Sequence, residues 1–189
     1  MEEGLWPKIT ELARPYLSTR HNERHTEIAL DFARTLLAAE PGQWEVVIPA
    51  VTLHDVGWSC VPEELQVKAF RPDGSDRAIN RVHETAGVRL AAEILRASGY
   101  PERWRPEILA IIDHHDSLST AVSLNDALVK DADKLWRFSA AGFAVDCARF
   151  GFDRDSYWQL LASRADGWML TGTGRRLAGE HLAFLRARL

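Results

Sequence analysis

At 189 residues, 46 % of them apolar, the chain is long enough for one domain with a sizeable core. Its formal net charge is only −4, with acids and bases interspersed, which argues against an extended nucleic-acid surface or a membrane-facing basic face. Two cysteines, Cys60 and Cys147, neither in a C-x-x-C pair, exclude a disulfide framework and a thiolate metal site; they read as a loop thiol and a small core residue.

The opening segment MEEGLWPKITELARPYL lacks a basic stretch followed by a long apolar run, so it does not read as a signal peptide. No apolar run approaches the roughly 20 residues that a membrane-spanning helix needs, and the expectation is a cytoplasmic protein. Helical periodicity then recurs along the chain, with strand signals nearly absent. Asn22 is placed to cap a helix over Glu23–Ala39, striped by Ile28, Ala29, Phe32, Leu36 and Leu37 and stopped at Pro41-Gly42. A buried helix over Trp44–Leu53 runs into His54-Asp55-Val56-Gly57.

Residues 59–78, with Pro62, Pro72 and Gly74, read mainly as a loop with room for one helical turn. Helices are then expected from about Ile79 to Ser98, carrying His83, and from Pro101 through Ile108, Ile111 and Ile112 to His114-His115. Leu124–Phe150 reads as one long helix or two joined ones and contains Asp133; Tyr157–Ala165 and Gly174–Leu189 close the chain. The segment TGTGRR (Thr171–Arg176) lacks the Walker spacing and a preceding strand, so Thr171 or Thr173 is read as a helix cap.

Imidazole nitrogens and carboxylate oxygens are the side-chain atoms that bind borderline and hard divalent cations. A carboxylate such as Asp55, left unpaired at the end of the apolar VVIPAVTL helix, costs several kcal/mol or changes protonation. Taken alone, Asp55 could equally cap a turn and His54 be a satisfied core histidine. His25 lies within one turn of Ile28 and Ala29 and faces inward; Asp133 follows the apolar Leu128, Val129 and Ala132. Asp131 points roughly 200° away from Asp133 on a helix, too far to share an ion, and is assigned a supporting or surface place. His21 reads either as a site-edge residue or as solvent-exposed, and His181 as incidental.

His25, His54-Asp55 and Asp133 form an H…HD…D pattern, and over roughly residues 20–140 the chain resembles the HD superfamily of metal-dependent phosphohydrolases. The resemblance implies an all-α, single-domain helical bundle around a central metal site, with a motif-bearing core and C-terminal helices over about 141–189. It supports Asp133 as the last ligand, because Ala132-Asp133-Lys134 matches the family's A-D-[KR] context. His83 and His114-His115 match the two-metal branch, which implies a second ion, a bridging Asp55 and, of the adjacent pair, His114 as the favoured ligand. His115 is then either a further ligand or a contact to substrate phosphate, as His83 would also be in a one-metal relative.

The implied cofactor is a divalent metal, two ions of iron or manganese, with zinc, nickel or magnesium as alternatives. Asp55, Lys134 and His115 are the expected catalytic residues, acting on a small phosphorylated substrate. Arg137 is a second candidate phosphate anchor, or a solvated helix residue. Arg71, Arg77 and Arg81 sit in or beside a 59–78 segment that could act as a lid, and Trp58 is read as stacking on a base or sugar or as plain core. The expected activity is hydrolysis of a phosphate ester or nucleotide. Dioxygen chemistry like that of myo-inositol oxygenase and phosphonate-cleaving relatives, or a silent metal-binding module, are the alternatives. HDVGWSCVPEE lacks the G-Y-P segment of the family's cyclic-dinucleotide phosphodiesterases.

Overall fold

The computed structural model describes residues 5–19, 22–69, 71, 72, 74 and 76–189. Among these there are ten α-helices and two 3-10 turns, and no strand. The helices are α1 (Leu5–Leu17), α2 (Asn22–Leu37), α3 (Trp44–Leu53), α4 (Glu63–Ala69), α5 (Arg77–Ala97), α6 (Arg105–His114), α7 (Leu124–Phe138), α8 (Ala140–Phe150), α9 (Arg154–Trp168) and α10 (Gly172–Arg186). The all-α architecture expected from the periodicity is therefore the architecture found.

Local chemistry explains most boundaries. Asp76 starts α5 by accepting from the backbone N–H groups of Ala78 and Ile79, Ser123 starts α7 through Asp126, and Asp153 starts α9 through Ser156. The stretch from Leu124 to Phe150 is two helices, broken at Ser139, whose extended backbone lets its hydroxyl cap α8 through the Gly142 N–H. Thr171 caps α10 by accepting from Gly174 N–H at 2.9 Å, so the TGTGRR segment is a helix start.

Two elements depart from the sequence reading. The first is α1, which no expectation covered; it docks through Ile9, Ala13 and Leu17, and Trp6 Nε1 donates to Thr52 Oγ1 at 3.2 Å. The second is α4, a seven-residue helix inside the 59–78 stretch expected to be mainly loop. It is held by buried Gln66, whose amide donates to the carbonyls of Trp58 and Val61, and its Ala69 packs with Trp58 and Val61 in a small core of its own.

One large hydrophobic core links all the other helices. At its centre lies α7, buried from Asn125 through Ala132 and flanked by α2, α3, α8, α9 and α10. Full burial of a Leu- or Val-sized side chain contributes about 1.5–3 kcal/mol, so Leu128, Val129 and Leu135, each 0 % exposed, make α7 a stiff support for whatever its remaining side carries. Helices α3 and α6 pack on one another, and α5 lies across α6 and the 3-10 turn Val56–Cys60.

Candidate metal centre

Both α3 and α6 are followed by a histidine that turns back on its own helix. His54 Nδ1 lies 2.8 Å from the Val51 carbonyl, and His115 Nδ1 lies 2.9 Å from that of Ile112. A carbonyl can only accept, so each Nδ1 carries the hydrogen, and in the neutral ring the Nε2 lone pair is left to face the interior. This is the arrangement in which an imidazole is oriented to bind a metal.

Three side chains converge on His54. From α2, His25 Nε2 comes to 3.0 Å from His54 Nε2. From α7, Asp133 Oδ1 stands 3.3 Å from His25 Nε2 and 3.6 Å from His54 Nε2. Asp55, next in sequence, places Oδ2 at 3.5 Å from His25 and Oδ1 at 3.6 Å from His54. The His25 ring is steadied edge-on against Trp136, 5.3 Å between centroids.

A second group forms on the other side of Asp55. His83 Nε2, on α5, is 3.3 Å from His115 Nε2, and His115 Nε2 is 3.7 Å from Asp55 Oδ1. Among the described residues, Asp55 thus belongs to two groups of side chains able to hold an ion, one with His25 and His54, the other with His83 and His115. Trp58 fixes this arrangement: its ring stacks on His83 at 3.8 Å and its Nε1 donates to Asp55 Oδ1 at 2.9 Å. The turn lies this close to α5 because position 57 is glycine. A Cβ there would meet the His83 carbonyl oxygen at 1.9 Å and the Gly87 nitrogen at 2.5 Å.

The donor set fits divalent cations. Metal–ligand bonds of about 2.0–2.2 Å at angles of 90–110° put neighbouring ligand atoms roughly 3.0–3.5 Å apart, close to the separations just given. The electrostatics agree. Burial holds the His83 pKa down at about 4, so that ring is neutral. Burial also opposes a charge on His115, but the carboxylates of Asp116 and Asp55 outweigh it and push the pKa up to about 10. His54 is raised in the same way, burial being overcome by Asp55 and Asp133. Burial works against the Asp133 carboxylate, yet hydrogen bonds from His25 and His54 hold its pKa well below the usual range. The cluster therefore attracts positive charge at its centre, which protons supply when no cation does.

Of the adjacent histidines, the structure brings His115 to the cluster, not the favoured His114. His115 continues the buried stripe Ile108, Ile111, Ile112 at helical spacing and is 1 % exposed. His114 is only half-buried and turns its Nδ1 toward the Ile111 carbonyl. Trp58, read as a base-stacking or plain core residue, is a buried support for Asp55 and His83. Asp131 is fully buried and accepts from the backbone N–H groups of Leu170 and Thr171 and the Thr171 hydroxyl. It is a strut between α7 and α10, not a surface residue. His181 packs against Phe32, and His21 lies outside the described residues.

A cavity of about 390 Å³ opens over the cluster. Asp133 and Asp116 lie in its wall together with Arg71, Arg77, Lys134, Arg137 and Arg164. Arg137 is aimed by buried Asp146, at 2.5 Å from its Nη1, and Tyr157 shares that carboxylate through its hydroxyl at 2.6 Å. Arg81, grouped in the sequence with the arginines in or beside the 59–78 segment, is engaged by Glu84 and by Asp113. Sequence reasoning missed Glu84, Asp116, Asp146 and Arg164. Only Glu84 left a trace, as a carboxylate on the buried stripe of α5 that includes Asn80, His83 and Gly87.

A family model described as HD domain matches residues 21–137. No curated protein and no solved structure matches the chain. With that match covering more than half of its length and the buried His/Asp cluster inside it, the chain belongs to the HD domain family, of the metal-dependent phosphohydrolase superfamily.

Proposed function

We propose that this protein hydrolyses a small phosphate ester or nucleotide with the help of two divalent ions. His25, His54, Asp55 and Asp133 would hold one ion, and His83, His115 and Asp55 the other, with Asp55 shared. Iron and manganese suit this histidine-rich, carboxylate-bridged set best, and zinc, nickel and magnesium remain chemically compatible. Ions held there would supply Lewis acidity, the chemistry that activates water near neutral pH and offsets charge on a phosphoryl oxygen.

The observation that carries the proposal is the cavity, where five basic side chains surround the approach to Asp133 and Asp116. Lys134, directly after Asp133, and Arg137, oriented by Asp146 and Tyr157, are placed to grip phosphate oxygens. Arg71, from the connection between α4 and α5, and Arg77, the first residue of α5, line the same cavity. Trp58 keeps Asp55 in place while charge changes beside it. The free thiols of Cys60 and Cys147 suit a reducing, cytoplasmic setting. No helix among the described residues is long and apolar enough to cross a membrane.

The test is phosphate release from a panel of nucleotides and phosphosugars by protein reconstituted with Mn²⁺ or Fe²⁺, with Asp55→Ala as the control. Release lost in the variant is the expected result. A second reading, dioxygen activation at two irons, draws support from the two imidazoles beside a carboxylate in each group. Oxygen uptake with a diol or hydroxyphosphonate, and no release from the panel, would replace the first reading with the second.

A further inference from the structure

The end of α6 repeats the end of α3. Each is a ten-residue helix that runs into a histidine of right-handed helical backbone, with φ −56° and ψ −35° at His54 and φ −61° and ψ −32° at His115. Each of these histidines bonds the carbonyl three residues back through Nδ1 and points Nε2 at Asp55. Each is followed by an aspartate: Asp55 in one case, Asp116 in the other. The protein thus contains two His-Asp pairs in the same local setting, of which the H…HD…D pattern names one.

We infer that Asp116 is a metal ligand, the carboxylate that the second ion does not share. The inference rests on the two-ion reading above and deepens it. Asp116 Oδ2 lies 3.5 Å from His83 Nε2 and 3.7 Å from His115 Nε2. Asp133 stands in nearly the same relation to the other pair, 3.3 Å from His25 and 3.6 Å from His54. Each ion then has two imidazoles, one carboxylate of its own and a share of Asp55.

The backbone that carries Asp116 is built for a fixed position. Glu84, 0 % exposed, accepts from the N–H groups of Asp116 at 3.0 Å and Ser117 at 2.8 Å, and takes a third bond from Arg81 Nη1 at 2.6 Å. Glu84 directly follows His83, so α5 delivers an imidazole and the clamp for the opposing carboxylate in consecutive residues. A buried carboxylate would not be spent on two backbone amides in an irregular segment unless their position mattered.

Charge argues the same way. Asp116 lines the cavity proposed to receive an anionic substrate. A bare carboxylate there would repel that substrate, whereas one neutralised by a cation would not.

Metal-stripped full-length protein, Asp116→Asn, Asp116→Glu and the control Glu102→Gln, an exposed position away from the cluster, are titrated anaerobically with Mn²⁺. Stoichiometry is read by calorimetry, retained metal by elemental analysis after desalting, and folding by circular dichroism. The expected result is two equivalents for the wild type, Asp116→Glu and Glu102→Gln, and one for Asp116→Asn, its second ion weakened by about tenfold or more. Asp116→Ser repeats the test if Asp116→Asn does not fold. Two equivalents at unchanged affinity in Asp116→Asn overturn the inference and leave the two-ion reading intact. One equivalent in the wild type overturns the inference and leaves a one-metal hydrolase. No bound ion removes the metal reading itself.

Discussion

The two halves of the cluster are supported in different ways. His25, His54 and Asp133 come from α2, α3 and α7, which pack on one another inside the large core, with Leu128, Val129 and Ala132 fully buried just before Asp133. His83, His115 and Asp116 come from α5 and the end of α6, and their added support is Glu84 with its amide bonds, Arg81, and Trp58 stacked between His83 and a small separate core. Both halves rest on apolar packing, since α5 and α6 bring Leu90, Ile94, Ile108, Ile111 and Ile112 into the same core, but the second depends in addition on the Glu84 hydrogen bonds and the Trp58 stack. Apolar packing tolerates single polar changes nearby, but a hydrogen-bonded clamp fails when one member is removed.

The sharpest way to break this contrast is at the residue common to both halves. Asp55→Ala should abolish turnover, a loss exceeding the roughly 10–100-fold typical of groups that merely orient a ligand, and should lower metal content in both positions. Elemental analysis beside steady-state kinetics checks it; loss of one ion alone would mean that Asp55 serves one half only. Next in size is Leu128→Ala, which should cost about 2–5 kcal/mol in denaturant unfolding because it opens a cavity under the first half. Gly57→Ala should destabilise by about 1–3 kcal/mol, since the new methyl group meets α5 backbone, and metal loss should fall mainly on the second ion.

A finer test is Glu84→Gln, which keeps the shape but removes the charge that holds the 116–117 amides. It should weaken the second ion by about 10–100-fold, with the first unchanged in a metal titration. Equal loss at both positions would erase the distinction drawn here. Smallest is Arg137→Lys, expected to raise KM several-fold with little change in metal content. Lysine keeps the charge but not the planar fork that Asp146 orients.

The first half was far more legible in the sequence than the second, for the same physical reason. Helical periodicity marks an apolar face, and His25 and Asp133 lie at its margin on helices whose stripes are clear. His54-Asp55 ends a run of apolar residues in a way that needs an explanation. His83 was visible on the same grounds. The choice between His114 and His115 was also decidable: extending the Ile108, Ile111, Ile112 stripe by one turn lands on His115. Glu84 showed only as a carboxylate on a buried stripe, and its link to Asp116 was not readable, because that link forms only when α5 and α6 dock across a separation of 32 residues. The first helix escaped notice because Pro7 and Pro15 mask its stripe, although proline in a first turn breaks no intrahelical bond.

The strut formed by Asp131 reaches beyond the motif. Its two oxygens receive the Leu170 and Thr171 amides and the Thr171 hydroxyl, while Glu40 takes the Thr173 hydroxyl, so the last helix is latched to the helix bearing Asp133. Burial pushes the Asp131 pKa up and those bonds work to lower it. A fragment trimmed to residues 21–137 would remove the Leu170 and Thr171 partners of that carboxylate and uncover the apolar side of α7 on which α8, α9 and α10 pack. The stretch that a family pattern recognises is shorter here than the stretch that must fold together, and excising it should yield an insoluble or molten product rather than a miniature enzyme.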